Sequence, residues 1–220
     1  RPPAGGSPPT GPRRSRHAVL TMFYEPALGN HGLPHNPLKA LVAPRPIGWI
    51  STLSPEGRPN LAPYSFFNIV SESPDIVMFS SAGLKDTVRN AMATGEFVCN
   101  LATRDLMDEV NITSTPLPSG ESEFELAGLA QAPCRLIRPP RVAISPCALE
   151  CVWIDTVEVT DRRGRRAGYH VTYGEIIGIH IDDRFIEAGR VCTDKLQPLS
   201  RAGYFDYAWI DTVTSVPRPR

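Results

Sequence analysis

The sequence predicts a mainly β protein: a closed antiparallel structure, Greek-key-like in its connections, with a few short helices. Three observations predict it. Roughly six or seven apolar, β-branched runs are separated by turn residues, at the spacing of an all-β fold. Only two or three segments carry a helical pattern, and they do not alternate with strands as in βαβ units. The 23 prolines gather at the chain ends and at the edges of the apolar runs, where they punctuate strands.

Residues 1–17 are rich in Pro, Gly and Arg, with little to bury. They read as a flexible tail. The Arg13-Arg14-Ser15-Arg16 run reads as a solvated extension, not a nucleic-acid arm. The domain is expected over 18–213, followed by a flexible tail over 214–220. Val42 to Leu53 is apolar and β-branched, and Ser54-Pro55-Glu56-Gly57 is a turn. Pro59 to Ile69 is a second extended run, so the two form a hairpin. Ile76 to Ser81 suits a buried strand. Asp86 to Met92 has helix formers after a capping residue, with Gly95 placed to stop the helix. Glu96 to Leu101 is a strand, and Arg104 to Ile112 a second short helix. Residues 114–133 are Ser-, Pro- and Gly-rich and acidic, with Phe124 and Leu126 as anchors. A loop of this length covers something. Ala148 to Thr160 alternates as a strand, Asp161 to Arg165 is a charged turn, and Tyr169 to Asp182 is the longest β-like run. Gly174-Glu175 within it suggests a bulge. Leu199 to Ile210 closes the domain with Tyr204, Phe205, Tyr207 and Trp209.

Composition removes several function classes. Lys plus Arg and Asp plus Glu number 23 each. A chain of zero formal charge has no global field to recruit nucleic acid or an anionic membrane. No apolar stretch approaches ~20 residues and no signal-peptide pattern occurs. The five cysteines form no Cys-x-x-Cys, so neither a disulfide framework nor a zinc knuckle is suggested. Free thiols fit a reducing cytoplasm. Gly-x-Gly-x-x-Gly, Walker and Gly-x-Ser-x-Gly motifs are absent. His17 falls in the tail, and His31 and His35 in a Pro/Gly-rich loop. His170 and His180 share a strand face if no bulge intervenes. No catalytic acid–base residue and no metal ligand is assigned.

Three segments could carry binding chemistry. In Ala43-Pro44-Arg45-Pro46-Ile47-Gly48-Trp49-Ile50-Ser51-Thr52, an Arg between two prolines has a constrained backbone and suits a planar or anionic partner. Spacing alone favours a strand entrance with a surface Arg. In Asn60-Leu61-Ala62-Pro63-Tyr64-Ser65-Phe66-Phe67-Asn68, small and polar residues alternate with aromatics. A flat ligand could approach the backbone there, or the run could be a hairpin strand with a core face. Ser80-Ser81-Ala82-Gly83-Leu84-Lys85-Asp86-Thr87 runs from a strand end into a helix N-terminus. Its orphan amides and dipole favour an anion. The alternative is an ordinary helix capped by Asp86 or Thr87.

Taken in order, these segments resemble the flavin reductase-like family, whose fold is the FMN-binding split barrel. Lys-Asp-Thr-Val-Arg-Asn (85–90), Gly-Glu-Phe-Val-Cys-Asn (95–100), Tyr-Gly-Glu-Ile-Ile-Gly-Ile-His-Ile-Asp (173–182) and Pro-Leu-Ser-Arg-Ala-Gly-Tyr-Phe (198–205) are similar to the family's pattern too. The resemblance spans about 20–213. It implies a homodimer holding FMN, with no nucleic-acid or membrane partner. By resemblance, Arg45, Pro46, Ile47, Ser51 and Thr52 would line the flavin or its ribityl chain. Asn60, Ala62, Pro63, Ser65 and Phe66 would border the ring system. Ser80, Ser81, Lys85, Asp86 and Thr87 would form the phosphate end, with Arg201 reaching in. The activity implied is NAD(P)H-dependent flavin reduction, with NADH or NADPH as hydride donor. The alternatives are a flavoredoxin-like carrier that passes electrons to a protein partner without NAD(P)H, and a binding module without turnover.

Overall fold

The computed structural model describes residues 21–118 and 121–219; the tail predicted over 1–17 lies outside the described residues. The chain divides into two compact units, 1–36 and 37–220. The described part of the first contains turns but no helix or strand.

The second unit begins with a single helical turn, α1 (Leu38–Leu41), so the extended run predicted from Val42 starts as strand only at β1 (Arg45–Pro46). The predicted hairpin is β2 (Gly48–Leu53) against β3 (Pro59–Tyr64), with Ser51 opposite Leu61. The run read as one strand to Ile69 is broken at Ser65-Phe66, after which β4 (Phe67–Glu72) turns back through β5 (Asp75–Ala82). Next come α2 (Asp86–Thr94), β6 (Glu96–Leu101), a 3-10 turn (Arg104–Leu106) that leads into α3 (Met107–Ile112), and α4 (Glu123–Leu126). Gly95 ends α2 in the left-handed region, φ 75°, where a Cβ would be strained. Short β7 (Gln131–Ala132) and β8 (Arg141–Val142) pair with each other. The long hairpin is β9 (Cys147–Thr160) with β10 (Arg166–Ile181). Closing elements are β11 (Ile186–Glu187), β12 (Arg190–Val191), α5 (Thr193–Leu196), β13 (Leu199–Arg201) and β14 (Tyr207–Trp209).

One seven-stranded antiparallel sheet dominates, in the order β3-β2-β6-β9-β10-β5-β4. Its outer strands, β3 and β4, are consecutive in the chain and joined through Ser65-Phe66. The sheet therefore curls until its two edges meet, which makes it a split β-barrel. Closing a sheet removes the open edges that would otherwise pair with another chain. The seam carries a main-chain bond from Ser80 N–H to Phe66 O, 2.8 Å.

Inside the barrel lie Ile50, Val77, Phe79, Phe97, Cys99 and Cys151, with Val88 and Ala91 of α2 packed against them. A second core joins Trp49, Leu61, Leu106, Val110, Phe124 and Leu199. Strand β2 thus has both faces covered. Of the anchors predicted in 114–133, Phe124 is buried, whereas Leu126 is half exposed. The bulge expected near Gly174 is present: the β9–β10 register shifts between Tyr173 and Gly174. A second shift, between Ile176 and Gly178, also falls between His170 and His180, so their simple alternation is interrupted. All five cysteines are free. Cys99 is buried, and desolvation pushes its thiol up, as an inert core residue requires. Among the described residues, no helix is long and apolar enough to cross a membrane.

Candidate functional site

A cleft of about 600 Å³ opens where the seam meets the start of α2. That size suits a cofactor. Asn60, Ala62 and Pro63 come from β3, Ser65 and Phe66 from the seam, Ser80 from β5, and Lys85, Asp86 and Thr87 from the loop and first turn of α2. These are residues that the sequence pattern singled out, and the fold brings them together.

One end of the cleft gathers hydrogen-bond donors around the start of α2. The N-cap of α2 is Lys85, extended at ψ 172°, and no side chain caps the helix. Asp86 and Thr87 therefore lie one and two residues inside the helix, not at the cap position expected for one of them. The Asp86 carboxylate turns instead to Arg89 on the next turn. First-turn amides have no intrahelical acceptor, and the helix dipole adds positive potential. Lys85 has no ion-pair partner among the described residues. Thr87 Oγ1 accepts a hydrogen bond from Asn60 Nδ2 at 2.9 Å, which leaves its own proton free to donate.

The Tyr64 hydroxyl sharpens this reading. The residue is 7% exposed and lines the cleft. Its Oη has no hydrogen-bond partner among the described residues, although the Thr87 and Ser81 hydroxyls are close by. Burial pushes the phenol up, so it stays a neutral donor. A buried hydroxyl left unpaired costs about 1–3 kcal/mol, and a ligand oxygen would relieve that cost.

The rest of the cleft is flatter and more apolar. Phe66 and Tyr169 stack with ring centres 6.3 Å apart, and Lys39 lies over the Phe66 ring at 6.0 Å. Thr113 to Leu117 form a further wall, anchored where Trp49 Nε1 donates to Thr113 Oγ1 at 2.9 Å. The segment after Thr113 does border a cavity. Glu123 also faces it, with Oε2 accepting Leu61 N–H at 3.0 Å. Burial, helped by Asp86, raises the Glu123 carboxyl above the usual range.

The other candidates do not line the cleft. Arg45 turns inward and is 8% exposed. It donates to the carbonyls of Lys39 and Val42, 2.5 Å each, and of Ala202, 2.8 Å. Pro46 is exposed beside it, and Ile47 lies in the core. Ser51 Oγ donates to Pro140 O (2.5 Å) and accepts from Asn100 Nδ2 (3.1 Å). Thr52 Oγ1 accepts from Asn90 Nδ2 of α2 at 3.1 Å. Ser81 Oγ donates to Gly83 O at 2.9 Å, fastening the loop before α2. Arg201 donates to Tyr204 O and stacks over Tyr207. Ser51, Thr52 and Ser81 hold the walls of the cleft in place. Residues of the lining that the pattern did not single out as ligands are Lys39, Tyr64, Ala82, Arg89, Thr113 to Leu117, Glu123 and Tyr169. The aromatic and small-residue alternation around Tyr64 was the available signal for it.

The flavin reductase-like domain model matches residues 41–196. The chain belongs to the flavin reductase-like family. The match takes in every strand of the barrel and the whole of the cleft except Lys39. An uncharacterized protein of Aquifex aeolicus is 36% identical over 169 residues, covering 74% of this chain and 83% of its own. Among solved structures, nitrilotriacetate monooxygenase component B from Bacillus cereus is similar at a TM-score of 0.76 and 31% identity, covering 85% of this chain and 100% of that one. The Pseudomonas fluorescens 2-nitrobenzoate 2-nitroreductase NbaA follows at 0.74 and 27%, covering 83% and 88%. A split barrel domain protein from Shewanella frigidimarina, at 0.75 and 20% identity with 83% and 90% covered, shares the fold.

Proposed function

We propose that the cleft holds FMN and that the protein is an NAD(P)H-dependent flavin reductase. The observation that carries the first half is the unpaired Tyr64 hydroxyl beside the uncapped start of α2. Together with Lys85, Ser80 and Thr87, it forms a set of donors for which no side-chain acceptor occurs among the described residues. A phosphate ester suits that set, and the Phe66–Tyr169 end suits a planar ring system. The reductase half is supported by the family and by the redox names of the relatives above 25% identity, a monooxygenase component and a nitroreductase.

Bound FMN would supply the hydride acceptance at N5 and the onward electron transfer. The chain's task is then to bind and orient. Lys85 and the α2 amides hold the anion, Thr87 and Tyr64 donate to it, and Asp86 is kept off it by Arg89. Ala62 and Pro63 let a ring approach the β3 backbone closely. Thr113 to Leu117 shield one side from water.

A homodimer is part of the proposal. Val152, Ile154, Val157 and Ile177 on β9 and β10 are between 39% and 47% exposed, an apolar strip suited to a second copy. The free thiols fit a cytoplasmic location.

The test is to purify the protein, record its spectrum, add FMN and NADH or NADPH in air, and follow nicotinamide absorbance. Yellow protein that consumes nicotinamide supports the reading. Tight FMN without nicotinamide oxidation would replace the reductase by an electron carrier, and failure to bind FMN would remove both. Lys85→Ala should weaken FMN by about 1–3 kcal/mol, the worth of a charge-assisted bond, and leave riboflavin unchanged. Equal losses for the two ligands would place Lys85 away from the phosphate.

A further inference from the structure

A second cavity, of about 490 Å³, lies between the 135–146 segment and the end of the β9–β10 hairpin, lined by Arg135, Arg141, Glu150, Gly178 and His180 among others. It shares no lining residue with the flavin cleft. Glu150 and His180 belong to its lining, and beside them the Cys134 Sγ, a Glu150 carboxylate oxygen and a His180 ring nitrogen all lie within 4.8 Å of one another.

The Glu150 carboxylate is 1% exposed and rigidly aimed. Oε2 accepts Leu136 N–H at 2.8 Å, and Oε1 accepts Arg135 N–H at 2.7 Å. Both amides follow Cys134 directly in the chain, so the turn that grips the carboxylate also delivers the thiol. The remaining lone pair on Oε1 meets His180 Nε2 at 2.5 Å. His180 arrives from β10 just past the bulge between Ile176 and Gly178. Gly178 stands opposite Glu150, and a Cβ there would sit 3.4 Å from two Glu150 carbons and 3.3 Å from Leu136. The missing side chain keeps this corner roomy.

We propose that Cys134, Glu150 and His180 form a binding site for a divalent ion of the zinc class, with a fourth position open to the cavity. A hydrogen-bonded Glu–His pair alone accounts for two of these residues. Cys134 packs against Val98, Ile137 and Ala148 and also presents its Sγ to this corner. Sulfur, imidazole and carboxylate are the ligands zinc takes, and three protein ligands with one open position is its arrangement in catalytic sites. One thiolate and one carboxylate balance the charge of the dication. The two backbone amides act as the outer shell that orients a ligating carboxylate. Tetrahedral bonds of about 2.0–2.1 Å to nitrogen and oxygen set those two atoms about 3.3 Å apart. The imidazole must therefore swing outward by under about 1 Å. Its side chain is 19% exposed on the cavity side, so it has the space to do so.

The experiment uses the full chain, stripped with a chelator and titrated with zinc against a chromogenic indicator. Alkylation of each cysteine is followed in parallel by peptide mass spectrometry. The expected result is one zinc per chain, with affinity lowered at least about tenfold by Cys134→Ser and by His180→Asn. Zinc should protect Cys134 from alkylation and leave Cys192 unprotected. FMN affinity of Cys134→Ser should match the parent, since the two sites share no residue. Unchanged zinc affinity in both variants, or unchanged Cys134 alkylation with zinc present, would overturn the site. Stoichiometric binding lost in neither variant would assign the zinc elsewhere and equally overturn it.

Discussion

Replacing Gly174 by Ala drives a methyl carbon against the ring edge of Phe97. The added Cβ would stand 2.3 Å from Phe97 Cζ, 2.4 Å from Cε1 and 3.2 Å from Cys151 Cβ. Carbon atoms prefer about 3.5–4.0 Å, so the ring must move by more than about 1 Å. Phe97 is fully buried, edge-on to Phe79 at 5.5 Å and 77°, and a close-packed interior has no void to receive it. Overpacking costs about 1–3 kcal/mol, and two overlapped ring atoms put this case at the top of that range. Removing a strand glycine returns about 0.5–1 kcal/mol of backbone entropy. The net expectation is a loss of about 2–2.5 kcal/mol, or about 4–10 °C in Tm for a chain of this length. Urea denaturation followed by tryptophan fluorescence measures it, with the slope unchanged. Phe97→Leu in the Gly174→Ala background should recover part of the loss, as a favourable coupling in a double-mutant cycle. A Gly174→Ala protein within about 0.5 kcal/mol of the parent would refute the packing argument.

Other perturbations probe the cleft and its supports. Tyr64→Phe should weaken FMN by about 0.5–1.5 kcal/mol without affecting riboflavin, read by fluorescence titration, and should not lower stability in the absence of ligand, since the hydroxyl has no partner to lose. Glu123→Gln removes a carboxylate that shares the cleft with Asp86. FMN should bind more tightly to this variant at neutral pH. The Glu123 pKa is raised in the folded state, so its stabilising contribution is present below the unfolded pKa and lost as pH rises through the folded one. The Tm of Glu123→Gln relative to the parent should therefore climb as pH is raised from acid to neutral, and a flat difference would contradict the assignment. Asn100→Ala removes bonds from Asn100 Nδ2 to Trp49 O and Ser51 Oγ and from Val142 N–H to Oδ1. It should cost about 2–4 kcal/mol, measured by chemical denaturation.

The strands were legible because alternation and turn chemistry are local. The bulge at Gly174 and the Gly95 stop were visible for the same reason. So was one end of the cleft, because Ser80, Lys85, Asp86 and Thr87, which line it, lie in one continuous stretch. Arg45, Ser51 and Thr52 show what local pattern misses. Each is a polar residue that the family resemblance places against the ligand. Ala202, Pro140, Asn100 and Asn90 come near only in the folded chain, whereas the Lys39 and Val42 carbonyls lie six and three residues before Arg45. No pattern announces that β2 is covered on both faces. Tyr64 read equally well as a core residue, and its missing hydrogen bond exists only in three dimensions. Cys134, Glu150 and His180 come from three separate segments, and the bulge before Gly178 defeats any count of alternation along β10.

The Arg45 clasp has a mechanical consequence. It joins the start of the barrel unit, at Lys39 and Val42, to the turn after β13, at Ala202. Arg45 pairs with Arg201 and Pro46 with Ser200, antiparallel, so Val42 and Ala202 lie at the same end of this short ladder. A pull applied between Val42 and Ala202 would open it like a zipper, one rung at a time, instead of shearing all rungs at once. The guanidinium, with its three carbonyl acceptors, is the tooth that resists first. Once it lets go, α1, β13 and β14 would peel away under modest force and leave the seven-stranded sheet intact.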